Sequence, residues 1–351
     1  MKIFLFLFFS FNDYCHCAWI DALLIIDTTG GQQGFGWSRS NEGDAAELLD
    51  RDPLDFFQPG RGIVSPLGRG DAPLWDLTGK ILNEPAWRLL GGYGSEWVPV
   101  YDGSIYFSDL QPEYADRGIP RILEEIDHSL ELGHRAFKIK VGRGFKWMAP
   151  EPGLVRDIEV VRAIRAHVGP DVKLMVDSNN GYDLATTKRF LEEADIEFFF
   201  VEEMFPESVE EDLELKGWIR SRDWNTLVAD GESASEPEHF TPYIDRVAFD
   251  VLQGDMRRFG FTELRDLART AAPSGIGLAP HNWGSYLGLY MQLILGRGIP
   301  NFVMAEQDPA HTELFDASDF ELREGRMRVP DTPGCGLALR TERLADETLD
   351  W

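Results

Sequence analysis

Cysteine is scarce in this chain of 351 residues: Cys15, Cys17 and Cys335 are all it has. An odd number without paired spacing suggests neither a disulfide framework nor a zinc finger, and fits a reducing compartment. Lysine is scarce too, 8 of the 34 basic residues, set against 60 acidic ones for a net charge of −26. Nucleic acid and anionic membrane surfaces both need basic patches, so neither is expected as a partner. An anionic substrate would have to be captured by a local positive centre. The apolar run from Ile3 to Phe11, after Met1-Lys2, is too short to cross a bilayer as a helix. It can be read as the core of a secretion signal with a cleavage region at 15–18, as a first strand, or as part of an irregular start over 1–17. A cytoplasmic location is the expectation, with the signal as the alternative. There is no low-complexity tract and no long linker.

The length suits a barrel of about 200 to 250 residues plus a smaller appended domain. The first part reads as α+β. Strand character over 18–27 leads through the turn residues Thr28-Thr-Gly-Gly31 to Gly34–Trp37, Asn41 can cap a helix through Asp50, and 71–82 and 85–90 have helical character. From Trp97 onward the pattern alternates. Strands are predicted at 97–107, 136–141, 172–177, 197–202, 226–229, 247–252, 275–279 and 302–305, with helices near 112–132, 154–167, 183–194, 208–220, 260–272 and 284–296. The segment after Glu306 loses this alternation and is expected to pack back on the first domain. The division predicted is 1–95, an N-terminal α+β cap; 96–307, a (β/α) barrel; and 308–351, a C-terminal segment.

Lys140, Asp177, Glu202, Glu232, Asp255, His281 and Glu306 stand at the ends of successive apolar runs, separated by 37, 25, 30, 23, 26 and 25 residues. Each interval is about one strand plus one helix. In a barrel all these carboxyl ends open onto one face, where active sites are built. Lys138 and Lys140 are two apart on one strand and share a face, so mutual repulsion is expected to lower the pKa of one of them. Two solvated lysines on an edge strand are the competing reading. Asp177, Glu202 and Glu232 can converge on one hard divalent cation such as Mg²⁺, whereas each alone could be a helix cap. Glu203 should face away from Glu202; Asp230 and Glu232 should share a face, Glu232 being nearer the strand tip. Asp255 can orient His281 and raise its pKa, giving an acid–base dyad. Glu306 is either a site residue or half of an interior salt bridge.

The segments Leu74–Lys80 (LWDLTGK) and 89–92 (LLGG), followed in order by KIK, VDSN, VEE, DGES, QGDMRRFG and the late His281 and Glu306, resemble the enolase superfamily, in particular its mandelate racemase subgroup. That resemblance implies an α/β fold, a modified TIM (β/α) barrel with an α+β capping domain built from both chain ends. It implies one Mg²⁺ per active site on Asp177, Glu202 and Glu232, with Lys140 and the His281–Asp255 pair as opposing bases. Glu306 and Lys138 are implied to stabilise the substrate carboxylate, and Asn179 to make a further polar contact. The expected activity is abstraction of the α-proton of a small anionic carboxylate substrate through an enediolate, in an acid-sugar (aldonate or aldarate) dehydratase. A racemase or epimerase of a 2-hydroxy acid and a non-catalytic binding protein on the same scaffold are the alternatives. A homo-oligomer, dimer or octamer, is implied as well. The chain departs from the family pattern at Met204, where proline is usual, and in an amino-terminal part that looks abbreviated.

Overall fold

The computed structural model describes residues 1–11, 21–114 and 116–344. Its first layer is an antiparallel sheet, β1 (Ile3–Phe11), β2 (Asp21–Thr28) and β3 (Gln33–Ser38), in that order. The start of the chain is therefore a strand over 3–11 rather than an irregular segment, since its apolar run pairs with β2 through Phe8↔Leu24 and neighbouring pairs. Cys15, Cys17 and the expected cleavage region lie outside the described residues. Asn41 caps α1 (Glu42–Ala46) reciprocally: its side chain accepts from the Asp44 amide while the Asp44 carboxylate accepts from the Asn41 amide. That helix ends at Ala46, short of the expected Asp50.

The strand pair β4 (Phe57–Gln58) and β5 (Gly62–Ile63) precedes α2 (Ala72–Leu82) and α3 (Ala86–Leu90). Helix α2 lies tight against β3, where a Cβ on Gly34 would come 2.4 Å from the Pro73 carbonyl oxygen. Only glycine permits that approach.

Eight strands follow: β6 (Trp97–Ile105), β7 (Ala136–Lys140), β8 (Lys173–Asp177), β9 (Phe200–Glu202), β10 (Leu227–Asp230), β11 (Val251–Leu252), β12 (Gly277–Leu278) and β13 (Ala305–Gln307). Neighbours from β6 to β12 pair in parallel, and β13 pairs in parallel with β6. A parallel bridge from Leu278 to Phe302 brings the last strand's approach onto β12 and completes the ring. The outer helices are α4 (Ile119–Leu132), α5 (Arg143–Lys146), α6 (Pro150–Val168), α7 (Leu184–Ala194), α8 (Val209–Arg220), α9 (Thr241–Arg246), α10 (Met256–Ala271) and α11 (Tyr286–Gly298). Seven helical crossovers join eight strands, and no α-helix follows β13 among the described residues, which is the modified barrel expected. The last strand begins at Ala305, later than predicted, because Phe302 and Val303 are engaged with Leu278.

The tail adds β14 (Phe315–Asp316), β15 (Glu321–Arg323), β16 (Arg326–Arg328) and β17 (Ala338–Leu339). Strand β16 pairs antiparallel with the start of β6. Farther on, Gly334 bridges Pro85 and the Cys335 amide donates to Asp76 Oδ1 at 2.8 Å. Phe315 stacks on Phe35.

Inside the ring lies one apolar layer: Tyr101, Ala136, Met175, Phe200, Ala229, Val251, Ala279 and Met304, all buried. Side chains alternate along a strand, so the residue two positions on points the same way, one layer nearer the carboxyl end. Those residues are Gly103, Lys138, Asp177, Glu202, Gly231, Gln253, His281 and Glu306. The apolar floor therefore dictates which polar groups line the mouth.

Candidate active site

Lys138 is 2% exposed and holds the floor's carboxylates together: its Nζ lies 2.6 Å from Glu202 Oε1, 2.7 Å from Glu306 Oε1 and 3.3 Å from Asp177 Oδ2. Gln253, which the sequence reading did not single out, donates to Glu202 Oε2 at 2.7 Å and is fully buried. Its signal was present, since Gln253 follows the interior residue Val251 by two. Gly103 makes room for Glu306, because a Cβ there would sit 2.5 Å from Glu306 Oε1. Glu306 also accepts from the Asn282 amide at 2.8 Å. The interior salt bridge and the position at the mouth thus coexist in this residue.

One layer up, Lys140 Nζ donates to Asp177 Oδ2 and, at 2.7 Å, to Asn179 Oδ1. Asn179 in turn donates its backbone amide to Asp177 Oδ1 at 2.8 Å and its side-chain amide to Glu203 Oε2 at 3.3 Å. Both Asn179 and Asn180 have positive φ, a conformation asparagine tolerates better than most residues. Across the mouth, His281 Nδ1 is 2.9 Å from Asp255 Oδ2, and Asp255 caps α10 by accepting from the Arg258 amide at 2.9 Å. His281 Nε2 faces Glu232 Oε2 at 3.4 Å, outside hydrogen-bond range.

Asp177, Glu202 and Glu232 each present an oxygen within 4.8 Å of the others. Glu232 reaches this group because Gly231, at φ +114°, breaks the strand alternation. The expected shared face of Asp230 and Glu232 is therefore not found: Asp230 points outward, toward Glu203 and Glu207. Glu203 faces away from Glu202 as predicted.

The electrostatics correct one expectation. Burial works to lower the pKa of Lys138, but Glu202, Glu306 and Asp177 outweigh it and hold the group well above the ordinary lysine range. For Lys140 burial is likewise outweighed, chiefly by Asp177. Carboxylates outnumber ammonium groups here, so repulsion between the two lysines is the lesser effect. Burial pushes Glu202 up to about 8 despite Lys138. Asp177 goes the other way, its burial overcome by Lys140 and Lys138, which hold it well below the usual range. Burial lowers His281, yet Glu232 and the Asp255 hydrogen bond carry it up to about 10.

The residues fit a hard divalent cation. Three carboxylates from adjacent strand ends supply the oxygen donors such ions take, and Glu232 Oε2 is buried without a hydrogen-bond partner. At the rim, Tyr106 and Trp283 lie with ring centroids 4.9 Å apart, and Lys140 Nζ sits 5.4 Å from the Tyr106 centroid. Neither aromatic stood out in the sequence: Tyr106 fell at the end of the strand predicted over 97–107, which stops at Ile105, and Trp283 lies in the loop after β12.

A barrel whose mouth gathers three carboxylates between a lysine and a carboxylate-paired imidazole belongs to a class of enzymes built for acid–base work on a metal-bound substrate. Comparison with known proteins narrows the class. The enolase C-terminal domain-like family profile matches residues 121–343. Galacturonate dehydratase from Geobacillus sp., solved with D-galacturonate and 5-keto-4-deoxy-D-galacturonate, is 30% identical; the match covers 99% of this chain and 97% of that one, with a TM-score of 0.86. A mandelate racemase/muconate lactonizing protein from Geobacillus sp., solved with magnesium and tartrate, is also 30% identical, covering 99% and 95% of the two chains with a TM-score of 0.87. The 3,6-anhydro-alpha-L-galactonate cycloisomerase of Streptomyces coelicolor is 27% identical over 95% of this chain and 93% of its own. The chain belongs to the enolase superfamily, in its mandelate racemase/muconate lactonizing branch.

Proposed function

We propose that this protein is a Mg²⁺-dependent acid-sugar dehydratase, a carbon–oxygen lyase, acting on a small sugar carboxylate with a hydrogen and a hydroxyl on its α-carbon and a second hydroxyl on its β-carbon. The observation that carries this reading is the order of groups across the mouth: Lys140 against Asp177, then the carboxylate triad, then Glu232 against the His281–Asp255 pair. Asp177, Glu202 and Glu232 would hold one Mg²⁺. When bound, the cation neutralises carboxylate charge and stabilises the enediolate formed beside it.

The chain's own residues do the rest. Lys138 and Glu306 anchor the substrate carboxylate at the floor. Lys140, placed by Asn179, takes the α-proton in its neutral form, which becomes accessible when the Asp177 charge that raises its pKa is committed to the cation instead, and the electron pair left behind enters the enediolate. His281, kept protonated by its carboxylate neighbours, gives its proton to the β-hydroxyl, which leaves as water while the C–O bond breaks. The resulting enol takes up a proton at the β-carbon and becomes a 2-keto acid. Tyr106 and Trp283 cover the rim and limit water.

The Geobacillus relative supports this reading, since its bound pair differs by a lost hydroxyl and a gained ketone next to a carboxylate. The domain division at 95 and 307 belongs to the same proposal, supported by the tail's contacts with Pro85 and Asp76. A screen of aldonic, aldaric and uronic acids with Mg²⁺ should yield a 2-keto product that disappears in Lys140→Ala and His281→Asn. Exchange of the α-proton in D₂O without any keto acid would refute dehydration in favour of racemisation or epimerisation. Ligand binding untouched by both variants would favour a non-catalytic protein.

A further inference from the structure

On the outer side of the β9 and β10 ends, a second group of acids gathers. Glu203, Glu207 and Asp230 each offer an oxygen within 4.8 Å of the others. Alternation sends Glu203 and Asp230 away from the barrel axis, each being one position past an inward-facing residue; Glu207 comes from the loop between β9 and α8. Glu203 and Asp230 are 2% and 3% exposed. Oxygens around one calcium-sized ion, each about 2.4 Å from it, lie up to roughly 5 Å apart, which matches the spread of this group.

A separate observation points to a ligand. Asp212, on the first turn of α8, is 1% exposed, and its Oδ2 is buried without a hydrogen-bond partner. It lies beside the group: of the neighbouring charges it acts most strongly on Asp230, and Glu207 acts most strongly on it. Glu207 Oε1 is buried and unpartnered as well. What the acids do receive is slight. Ser233 Oγ donates to Glu203 Oε1 at 3.2 Å, Asn179 Nδ2 to Glu203 Oε2 at 3.3 Å and the Gly231 amide to Asp230 Oδ1 at 2.7 Å. His239 Nε2 lies 2.5 Å from Glu207 Oε2 at the exposed edge. Lys216, the nearest buried ammonium on α8, is committed to Asp250 at 2.9 Å and to the Val247 and Phe249 carbonyls. Against these carboxylates stand one imidazole at the edge and a lysine already shared with Asp250, so two buried carboxylate oxygens are left without a partner.

We propose that Glu203, Glu207 and Asp230, with Asp212 beside them as an outer partner, form a second divalent-cation site, suited to a hard ion such as Ca²⁺ or Mg²⁺ and distinct from the Asp177–Glu202–Glu232 triad. An ion there ties the β9–α8 loop to the end of β10 and fixes Glu203. Glu203 in turn orients Asn179, the partner of Lys140, so the ion positions one side of the active site without touching substrate.

The test is stoichiometry. The full chain, stripped with EDTA, is titrated with Mn²⁺ while free Mn²⁺ is followed by electron paramagnetic resonance. Two ions should bind per chain. Glu232→Gln should lose one of them, and Glu207→Gln, at the more exposed edge, should lose the other; the isosteric Asp212→Asn should weaken that same site by at least about tenfold, the loss typical of even an outer partner. One ion in the wild type, abolished by Glu232→Gln and kept by Glu207→Gln, overturns the second site and leaves the catalytic reading intact. One ion kept by Glu232→Gln and lost in Glu207→Gln supports the second site while removing the cation from the triad.

Discussion

Replacing Lys138 by Met removes a buried ammonium while keeping a side chain of similar length. Glu202 and Glu306, now 2.6 and 2.7 Å from that ammonium, would lose their nearest positive charge, and Asp177, at 3.3 Å, would keep only Lys140. Breaking one buried ion pair by removing a single partner costs about 3 to 5 kcal/mol, and here one group serves three acids. A loss of about 4 kcal/mol, with a denaturant slope of about 3 kcal/mol/M, lowers the urea midpoint by more than roughly 1 M. The measurement is urea unfolding in EDTA, repeated with Mg²⁺. The deficit should shrink with Mg²⁺, because an ion that binds only the folded state stabilises it by mass action. It should also grow with pH. Burial already holds Glu202 up to about 8, and a carboxyl whose folded pKa lies above its unfolded value contributes stability present below about 4.5 and lost as pH rises through about 8. Without Lys138 that loss deepens. A deficit under about 1 kcal/mol in EDTA at pH 8 would show that the lysine is not what keeps these acids together.

Asp255→Asn should cut kcat by about 100- to 10,000-fold, the range of acid–base catalysis, with little change in KM. The alkaline limb of its pH profile should move down, since His281 loses the carboxylate charge that helps hold its pKa up. Gly103→Ala places a methyl 2.5 Å from Glu306 Oε1 and should cost about 1 to 3 kcal/mol by overpacking together with most activity. Gly217→Ala in α8 meets nothing within 4 Å and should instead stabilise by about 0.5 to 1 kcal/mol, so thermal unfolding of the two variants should move in opposite directions. Asp183 caps α7 by accepting from the Thr186 amide at 2.7 Å, and that bond lowers its pKa. Asp183→Ala should cost about 1 kcal/mol at neutral pH, and the difference from wild type should fade as pH falls below the ordinary aspartate range and on through the lowered pKa of the folded carboxyl.

The barrel could be read from the chain because one physical pattern repeats: an apolar run, a polar residue at its end, then a helical stretch. Lys140, Asp177, Glu202, His281 and Glu306 all follow the two-residue alternation, so spacing alone brings them to one mouth. Glu232 does not follow it. Its arrival depends on the backbone at Gly231, and the φ of a glycine cannot be read from a hydrophobic pattern. The lysine pKa expectation failed for a related reason. The KxK pair is adjacent in sequence, whereas the acids that reverse the shift come from strands β8, β9 and β13. Trp283 went unnoticed because loop residues carry no periodicity, and Tyr106 because the first barrel strand ends one residue before it, at Ile105. The strand at Ile3–Phe11 was ambiguous because an apolar run of that length also suits a signal core, and its partner β2 is met only in three dimensions.

The central claim is that one cation on Asp177, Glu202 and Glu232 holds a carboxylate substrate between Lys140 and His281. Anomalous scattering from a crystal grown with Mn²⁺ and a turnover-incompetent sugar acid tests it most directly. The account predicts a peak about 2.0 to 2.3 Å from one oxygen of each of the three acids, with Lys140 Nζ and His281 Nε2 on opposite faces of the substrate's α-carbon. A triad without a peak, or both basic groups on the same face, would contradict it.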